Sequence, residues 1–84
     1  MDRTELIEKI RKGTDIMFTV YGKGFTICDS ESDNEKDIAE WGAQAGMVFK
    51  DAESLVYNYV IDGKTLGESA ENVIFVDYTM NGND

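Results

Sequence analysis

The side chains best suited to chemistry lie between Asp29 and Glu40. Carboxylates in this segment follow the ligand spacing of a calcium-binding loop at positions 1, 3, 5, 7 and 12, namely Asp29, Glu31, Asp33, Glu35 and Glu40. Two features oppose a calcium site: Asn34 stands where the loop normally has glycine, and Lys36 places a cation inside the segment. Three interpretations stay open: a solvated acidic loop, an electrostatic surface for a basic partner, and a divalent-cation-responsive loop.

The other nucleophiles and glycine motifs do not form a catalytic pattern. The chain has no histidine, which removes Ser-His-Asp and Cys-His catalysis and the usual Cys/His zinc sites. Cys28 is predicted to be a small, buried or half-buried hydrophobe, and the adjacent Asp29 opposes a reactive thiolate. Gly63-Lys64-Thr65 matches the end of a phosphate-binding loop, but Asn58 stands where that motif requires glycine. We therefore predict no enzymatic activity, no catalytic residue and no cofactor.

The charge balance narrows the classes of partner. Seventeen acidic residues against eight basic ones give a formal net charge of −9. Binding of nucleic acid or of an anionic membrane requires clustered lysine and arginine, so both are disfavoured. A basic protein partner is favoured instead. One cysteine, no proline and no apolar segment long enough for a membrane span predict a cytoplasmic protein.

The elements that would position these residues follow from hydrophobic periodicity. Two runs of β-branched and aromatic residues around Gly22-Lys23-Gly24 predict a hairpin from Asp15 to Asp29. A helix is predicted from Asp2 to Lys12, with Asp2 and Glu5 at capping-box spacing. Further elements are a short strand over 38–41, a second helix over 51–61 and a final strand over 73–80.

These elements predict one α+β domain over residues 1–84. The order is α-β-β-β-α-β, with both helices packed on one face of an antiparallel or mixed four-stranded sheet. Residues 1–2 and 81–84 are expected to fray, and 29–37 to form an exposed acidic loop. The second helix is expected to bury Ala52, Leu55, Val56, Tyr59 and Val60. Four β-formers at the start of the last strand predict burial on both faces, or a position beside a partner.

The leading functional hypothesis is a non-enzymatic, intracellular protein-interaction module. In composition the chain is similar to bacterial and phage accessory proteins. Trp41 and Tyr57 are the predicted apolar anchors, because exposed aromatic residues often anchor interfaces. Asp29, Glu31, Asp33 and Glu35 are the predicted electrostatic contacts. Alternatives are a nucleic-acid mimic that inhibits a DNA- or RNA-binding protein, a divalent-cation-responsive domain, and self-association through the 73–80 strand.

Overall fold

The computed structural model describes residues 1–30 and 34–80, beginning with a capped helix. Helix α1 spans Arg3–Lys12. Its capping box forms as the sequence predicts, because the Glu5 N–H donates to Asp2 Oδ1 at 2.8 Å and the Asp2 N–H donates to the Glu5 carboxylate. Leu6, Ile7 and Ile10 form the buried stripe of this helix. The chain then passes directly into the first strand.

Within the described residues, seven strands follow the first helix, in two separate sheets. In chain order they are β1 (Gly13–Val20), β2 (Lys23–Asp29), β3 (Lys36–Glu40), β4 (Met47–Phe49), β5 (Val60–Ile61), β6 (Lys64–Thr65) and β7 (Ile74–Met80). The main sheet has the order β4-β3-β2-β1-β7 and is antiparallel throughout, whereas β5 and β6 form a two-stranded ribbon. Helix α2 (Ala52–Asn58) lies between β4 and β5.

Strand alternation produces one buried face on the main sheet. Ile16, Phe18, Phe25, Ile27 and Ile38 all point inward and are buried against the helices. The Phe18 and Phe25 rings stack across the β1–β2 pair with their centroids 5.4 Å apart. Two helices on one face of a sheet confirm the predicted α+β class. The short strand β4 raises the strand number of this sheet from the predicted four to five.

Helix α2 ends three residues earlier than predicted. Tyr59 is already extended, and Val60 and Ile61 pair with Lys64–Thr65 in the ribbon. The turn of this ribbon requires positive φ angles, 54° at Asp62 and 84° at Gly63, which Asp-Gly accepts readily. Gly63 therefore closes a hairpin turn and does not end the helix. Val60 consequently lies on the surface and not on the inward stripe of the helix.

The segment after the ribbon is short and locally capped. Leu66 is fully buried, and a 3₁₀ helix over Gly67–Asn72 follows it. The Thr65 N–H donates to Glu68 Oε1 at 2.8 Å, and the Glu68 N–H donates to Thr65 Oγ1 at 3.2 Å. This reciprocal pair caps the brief helical turn. Within the described ranges, neither helix has the length and apolarity to cross a membrane.

The predicted acidic loop over 29–37 is shorter in the structure. Strand β2 continues to Asp29 and β3 begins at Lys36, so only residues 30–35 connect the two strands. The Lys36 side chain is 3% exposed, and its Nζ donates to the Asp29 carboxylate and, at 3.0 Å, to the Gly13 carbonyl. Lys36 is the one lysine of this acidic segment. Because its side chain points inward and is paired with Asp29, its end of the segment can form part of the sheet.

The Lys36–Asp29 pair makes an asymmetric stability prediction. Asp29→Ala leaves a buried ammonium without its carboxylate, and should lower the free energy of unfolding by about 2–4 kcal/mol. Lys36→Met/Asp29→Ala removes both charges and keeps an apolar side chain, so the double variant should recover to within about 1.5 kcal/mol of the wild type. Urea denaturation of the three proteins measures both values. Equal losses in the single and double variants would contradict the prediction.

Candidate functional site

The main sheet has a second face that no described helix covers. Its outward positions on β1, β2 and β7 alternate with the buried ones. We call this second surface the open face. It is formed by the outward positions and Trp41, namely Asp15, Met17, Thr19, Gly24, Thr26, Cys28, Trp41, Ile74, Val76 and Asp77. An antiparallel sheet in solution commonly has one solvated face, but such a face is normally polar. Here the open face carries several large apolar side chains, so it is the candidate functional surface.

Trp41 is held flat against the open face. It follows β3, and its backbone N–H donates to the Gly24 carbonyl at 2.9 Å. The indole Nε1–H donates to Thr26 Oγ1 at 3.0 Å. A Cβ atom on Gly24 would lie only 2.0 Å from ring atom Cε3, so the ring occupies space that only glycine leaves free. Trp41 nevertheless remains 49% exposed, and its second ring face is available for contact.

The strand register places further apolar side chains beside Trp41, across three strands. Thr19 pairs with Gly24 on one side and with Ile74 on the other, whereas Met17 pairs with Thr26. The exposed fractions are 38% for Met17, 65% for Ile74 and 59% for Val76. Together with Trp41 these side chains form an exposed apolar surface. Clustered exposure of this kind is typical of interaction sites, whereas scattered apolar residues are common on any surface.

Of the two alternatives predicted for the last strand, burial on both faces is wrong, whereas a position beside a partner stays a prediction. Val73 is buried and Phe75 packs against the core, but Ile74 and Val76 point to solvent. The reason is topological: β7 pairs only with β1 and lies at the edge of a sheet covered on one side. Two of the four consecutive β-formers, Ile74 and Val76, therefore lie on an uncovered surface at a sheet edge.

The cations lie away from the open face, on the side of the molecule that also carries most of the acids. The acids on outward strand positions are Asp15, Asp77 and Asp37, the last of which pairs opposite Cys28. All eight lysines and arginines lie elsewhere: on α1, at inward positions of β2 and β3, beside α2 and in the ribbon, as Arg3, Lys9, Arg11, Lys12, Lys23, Lys36, Lys50 and Lys64. The open face therefore combines apolar side chains with carboxylates and without a cation.

Of the loop residues predicted as contacts and as calcium ligands, the structure describes Asp29, Glu35 and Glu40, and it separates Asp29 from Glu40. Asp29 is paired with Lys36, and Glu31 and Asp33 lie outside the described residues. Glu35 lies at the loop end, where its backbone carbonyl accepts from the Ser30 N–H at 3.1 Å. Glu40 lies at the far end of β3, roughly 13 Å along the strand from the residue that pairs with Asp29. Asp29 and Glu40 therefore cannot ligate one ion in this conformation.

The second predicted anchor, Tyr57, lies on the opposite side of the molecule from Trp41. It belongs to α2, and the Arg3 guanidinium carbon lies 4.9 Å from the centre of its ring. A cation therefore already occupies one face of this ring. Trp41 and Tyr57 cannot contribute to a single flat interface, and only Trp41 belongs to the open face.

Cys28 lies half-buried on the open face, as the sequence predicts. Burial raises the pKa of its thiol above the usual value and is the largest cause of the shift. The carboxylate of Asp15 raises this pKa further. The thiol is consequently protonated at neutral pH and is a poor nucleophile.

Comparison with known proteins gives no relative: no family model, no curated protein and no solved structure matches the chain. The function is therefore argued from the open face.

Sequence reasoning missed most of this surface, although one signal was present. Alternation along the first strand places Met17 and Thr19 on the side opposite Ile16, Phe18 and Val20. Two short helices provide buried stripes for only one face of a sheet. The outward residues should therefore have been expected to remain exposed, and Trp41 to share that face with them.

The position of Trp41 depends on Gly24, which makes a direct test possible. Gly24→Ala should displace the indole into water, shift its emission to longer wavelength and lower the free energy of unfolding by about 1–2 kcal/mol. Thr26→Val is the matched control, because it removes only the hydrogen-bond acceptor and should cost less than about 1 kcal/mol. Trp41 is the single tryptophan, so its fluorescence reports this position alone. An unchanged emission maximum in Gly24→Ala would contradict the described packing.

The environment of Cys28 predicts slow alkylation with a defined dependence on charge. Asp15→Asn removes a carboxylate that raises the thiol pKa, so more thiolate forms at a given pH. We expect iodoacetamide to react about two- to threefold faster with this variant at pH 8 than with the wild type. The remote substitution Glu53→Gln should leave the rate unchanged. A slower reaction in Asp15→Asn would contradict the assigned cause.

Proposed function

We propose that the protein is a small, non-enzymatic, intracellular protein-binding module that engages a basic protein partner. The observation that carries this proposal is that the open face is apolar and acidic and has no cation. The open face contains exposed apolar side chains and carboxylates, whereas all eight cations lie elsewhere. Apolar area surrounded by charge of one sign fits a partner with apolar side chains surrounded by charge of the other sign.

Long-range electrostatics support the choice of a basic partner. A net charge of −9 on 84 residues accelerates the encounter with a cationic surface and slows the encounter with an anionic one. Asp29 contributes less than predicted, because Lys36 offsets its charge within the fold. Asp15, Asp77 and the acids of the 30–35 loop provide the electrostatic contribution in this proposal.

Short-range contacts support a protein partner over a nucleic-acid-like role. Trp41 combines a fixed position with a free ring face, the property that aromatic anchors of interfaces share. Ile74 and Val76 beside it provide further apolar area. A surface that imitates a phosphate backbone has no need of this apolar area.

The test is a nuclease-treated pull-down from lysate of the source organism, followed by association kinetics with whatever protein is captured. We expect the wild type to retain a basic protein. Asp15→Asn/Asp77→Asn should slow association about three- to tenfold at low salt, and the difference should shrink at high salt. The control Glu53→Gln/Glu71→Gln removes two charges from other parts of the molecule. Equal slowing in both variants would indicate net charge alone, and no specific capture would contradict the proposal.

The same experiment should include reversal of Glu31, Asp33 and Glu35 to lysine. Asp29 is left unchanged, because its removal disturbs the buried Lys36. This variant measures the contribution of the loop separately from that of the open face. Slower association with either variant, beyond the slowing in a control with the same change in net charge, supports an acidic contact surface and indicates which part of the chain provides it.

Nucleic-acid mimicry is the second candidate, because the open face carries carboxylates without a cation. A mimic occupies the groove that binds nucleic acid in its partner. If the captured partner binds duplex DNA, the protein should then compete with DNA for it. Simultaneous binding of both would contradict mimicry and leave the interaction-module proposal intact.

A further inference from the structure

We propose that the occupant of the open face is a basic amphipathic helix of the partner protein, lying across β2, β1 and β7 with its apolar stripe on Trp41, Met17, Ile74 and Val76. This inference rests on the proposed function and names the recognised element and the contact residues.

The dimensions of the apolar surface suit a single helix. It extends from β2, where the Trp41 ring lies, across β1 to β7. Adjacent strands lie about 4.8 Å apart, so three strands span about 10 Å, similar to the diameter of a helix with its side chains. The opposite face of the same sheet is already covered by α1 and α2. A helix on the open face would bury apolar area by the same kind of packing.

The surface is also ordered before binding. Trp41 is fixed by its Thr26 hydrogen bond and by contact with Gly24, and Met17 lies on a strand paired on both sides. Residues of this kind lose little conformational freedom when a partner docks. Among the described residues, no lysine or arginine side chain has to move from the open face or be desolvated there.

Charge decides between a basic helix and a second copy of this chain. Asp15 and Asp77 are exposed beside the apolar side chains, and the copy would bring the same acids against them. Like charges across an interface oppose association, whereas lysine or arginine flanking an apolar stripe would pair with these carboxylates. The open face therefore favours a cationic partner.

The edge of β7 is less suited to strand addition than to face contact. Its pairing with β1 shifts register twice, between Thr14 and Met17 and again between Met17 and Phe18. Such bulges interrupt the regular ladder, and natural proteins use them to protect sheet edges. Asp77 adds a charge in the same strand. These features favour a partner on the face over one on the edge.

The test uses a synthetic helical peptide of about 18 residues, with leucine at i, i+3, i+4 spacing and lysine on the remaining face. Titration is followed by Trp41 emission and by backbone amide NMR spectra of the full chain. We expect emission to shift to shorter wavelength, and amide shifts to concentrate on β1, β2, β7 and Trp41. A peptide of the same composition in scrambled order should bind at least about tenfold more weakly.

Two sets of variants assign the contacts. Ile74→Thr/Val76→Thr keeps β-branched side chains at exposed positions, and should weaken peptide binding by about tenfold or more. Asp15→Asn/Asp77→Asn should weaken it about three- to tenfold, with a reduced salt dependence. Tyr57→Ala, on the opposite side of the molecule, is the matched control and should bind as the wild type does.

Several results would overturn the inference. They are equal binding of the scrambled peptide, amide shifts centred on α1 or α2, and no binding at about millimolar peptide. A dimer in sedimentation that Ile74→Thr/Val76→Thr abolishes would identify a second copy as the occupant. If a basic protein is captured from lysate and lost on reversal of Glu31, Asp33 and Glu35, but retained by Ile74→Thr/Val76→Thr, the proposed function stands and this inference fails.

Discussion

The packing of α1 and α2 against a single face of the main sheet is the constraint from which the other features follow. Leu6, Ile10 and Leu55 meet the inward strand residues in one continuous core. Helices of ten and seven residues provide enough apolar stripe for that face only. The outward residues of β1, β2 and β7 therefore have no internal partner. Core packing does not restrict which residue types occupy these positions, so the types found there are informative about contact with other molecules.

The locally determined parts of this fold could be predicted, and the parts set by distant pairing could not. Each helix begins after an aspartate whose side chain accepts a hydrogen bond from the backbone N–H three residues later. Asp2 and Asp51 were therefore recognisable as caps. The early end of α2 was missed because Tyr59 and Val60 fit a helical stripe as well as a strand. Asp62-Gly63 was a hairpin signal within a segment interpreted as a helix and its C-terminal cap.

The candidate site shows the same division. The position of Trp41 after a strand was predictable, but its contact with Gly24 depends on the register between β2 and β3. The exposure of Ile74 and Val76 depends on β7 occupying an edge, which no local pattern specifies. Counting acids overstated the role of Asp29, because the inward orientation of Lys36 became apparent only with the strand pairing.

Net charge alone would make this chain a non-specific ligand for any cationic surface, so specificity must come from the arrangement of its side chains. The two exposed aromatics illustrate the difference. Tyr57 already has a cation, Arg3, against its ring, which reduces the attraction of that ring for a second cation. Trp41 has one ring face on a rigid sheet and the other free, with carboxylates and no cation on the same face of the sheet.

A partner that satisfies the carboxylates without covering the apolar side chains leaves those side chains in water. A partner that covers the apolar side chains without providing cations desolvates unpaired carboxylates. In the proposed interaction, only a surface that is apolar and basic at matching positions satisfies both, and this requirement would give the open face a selectivity that its charge does not.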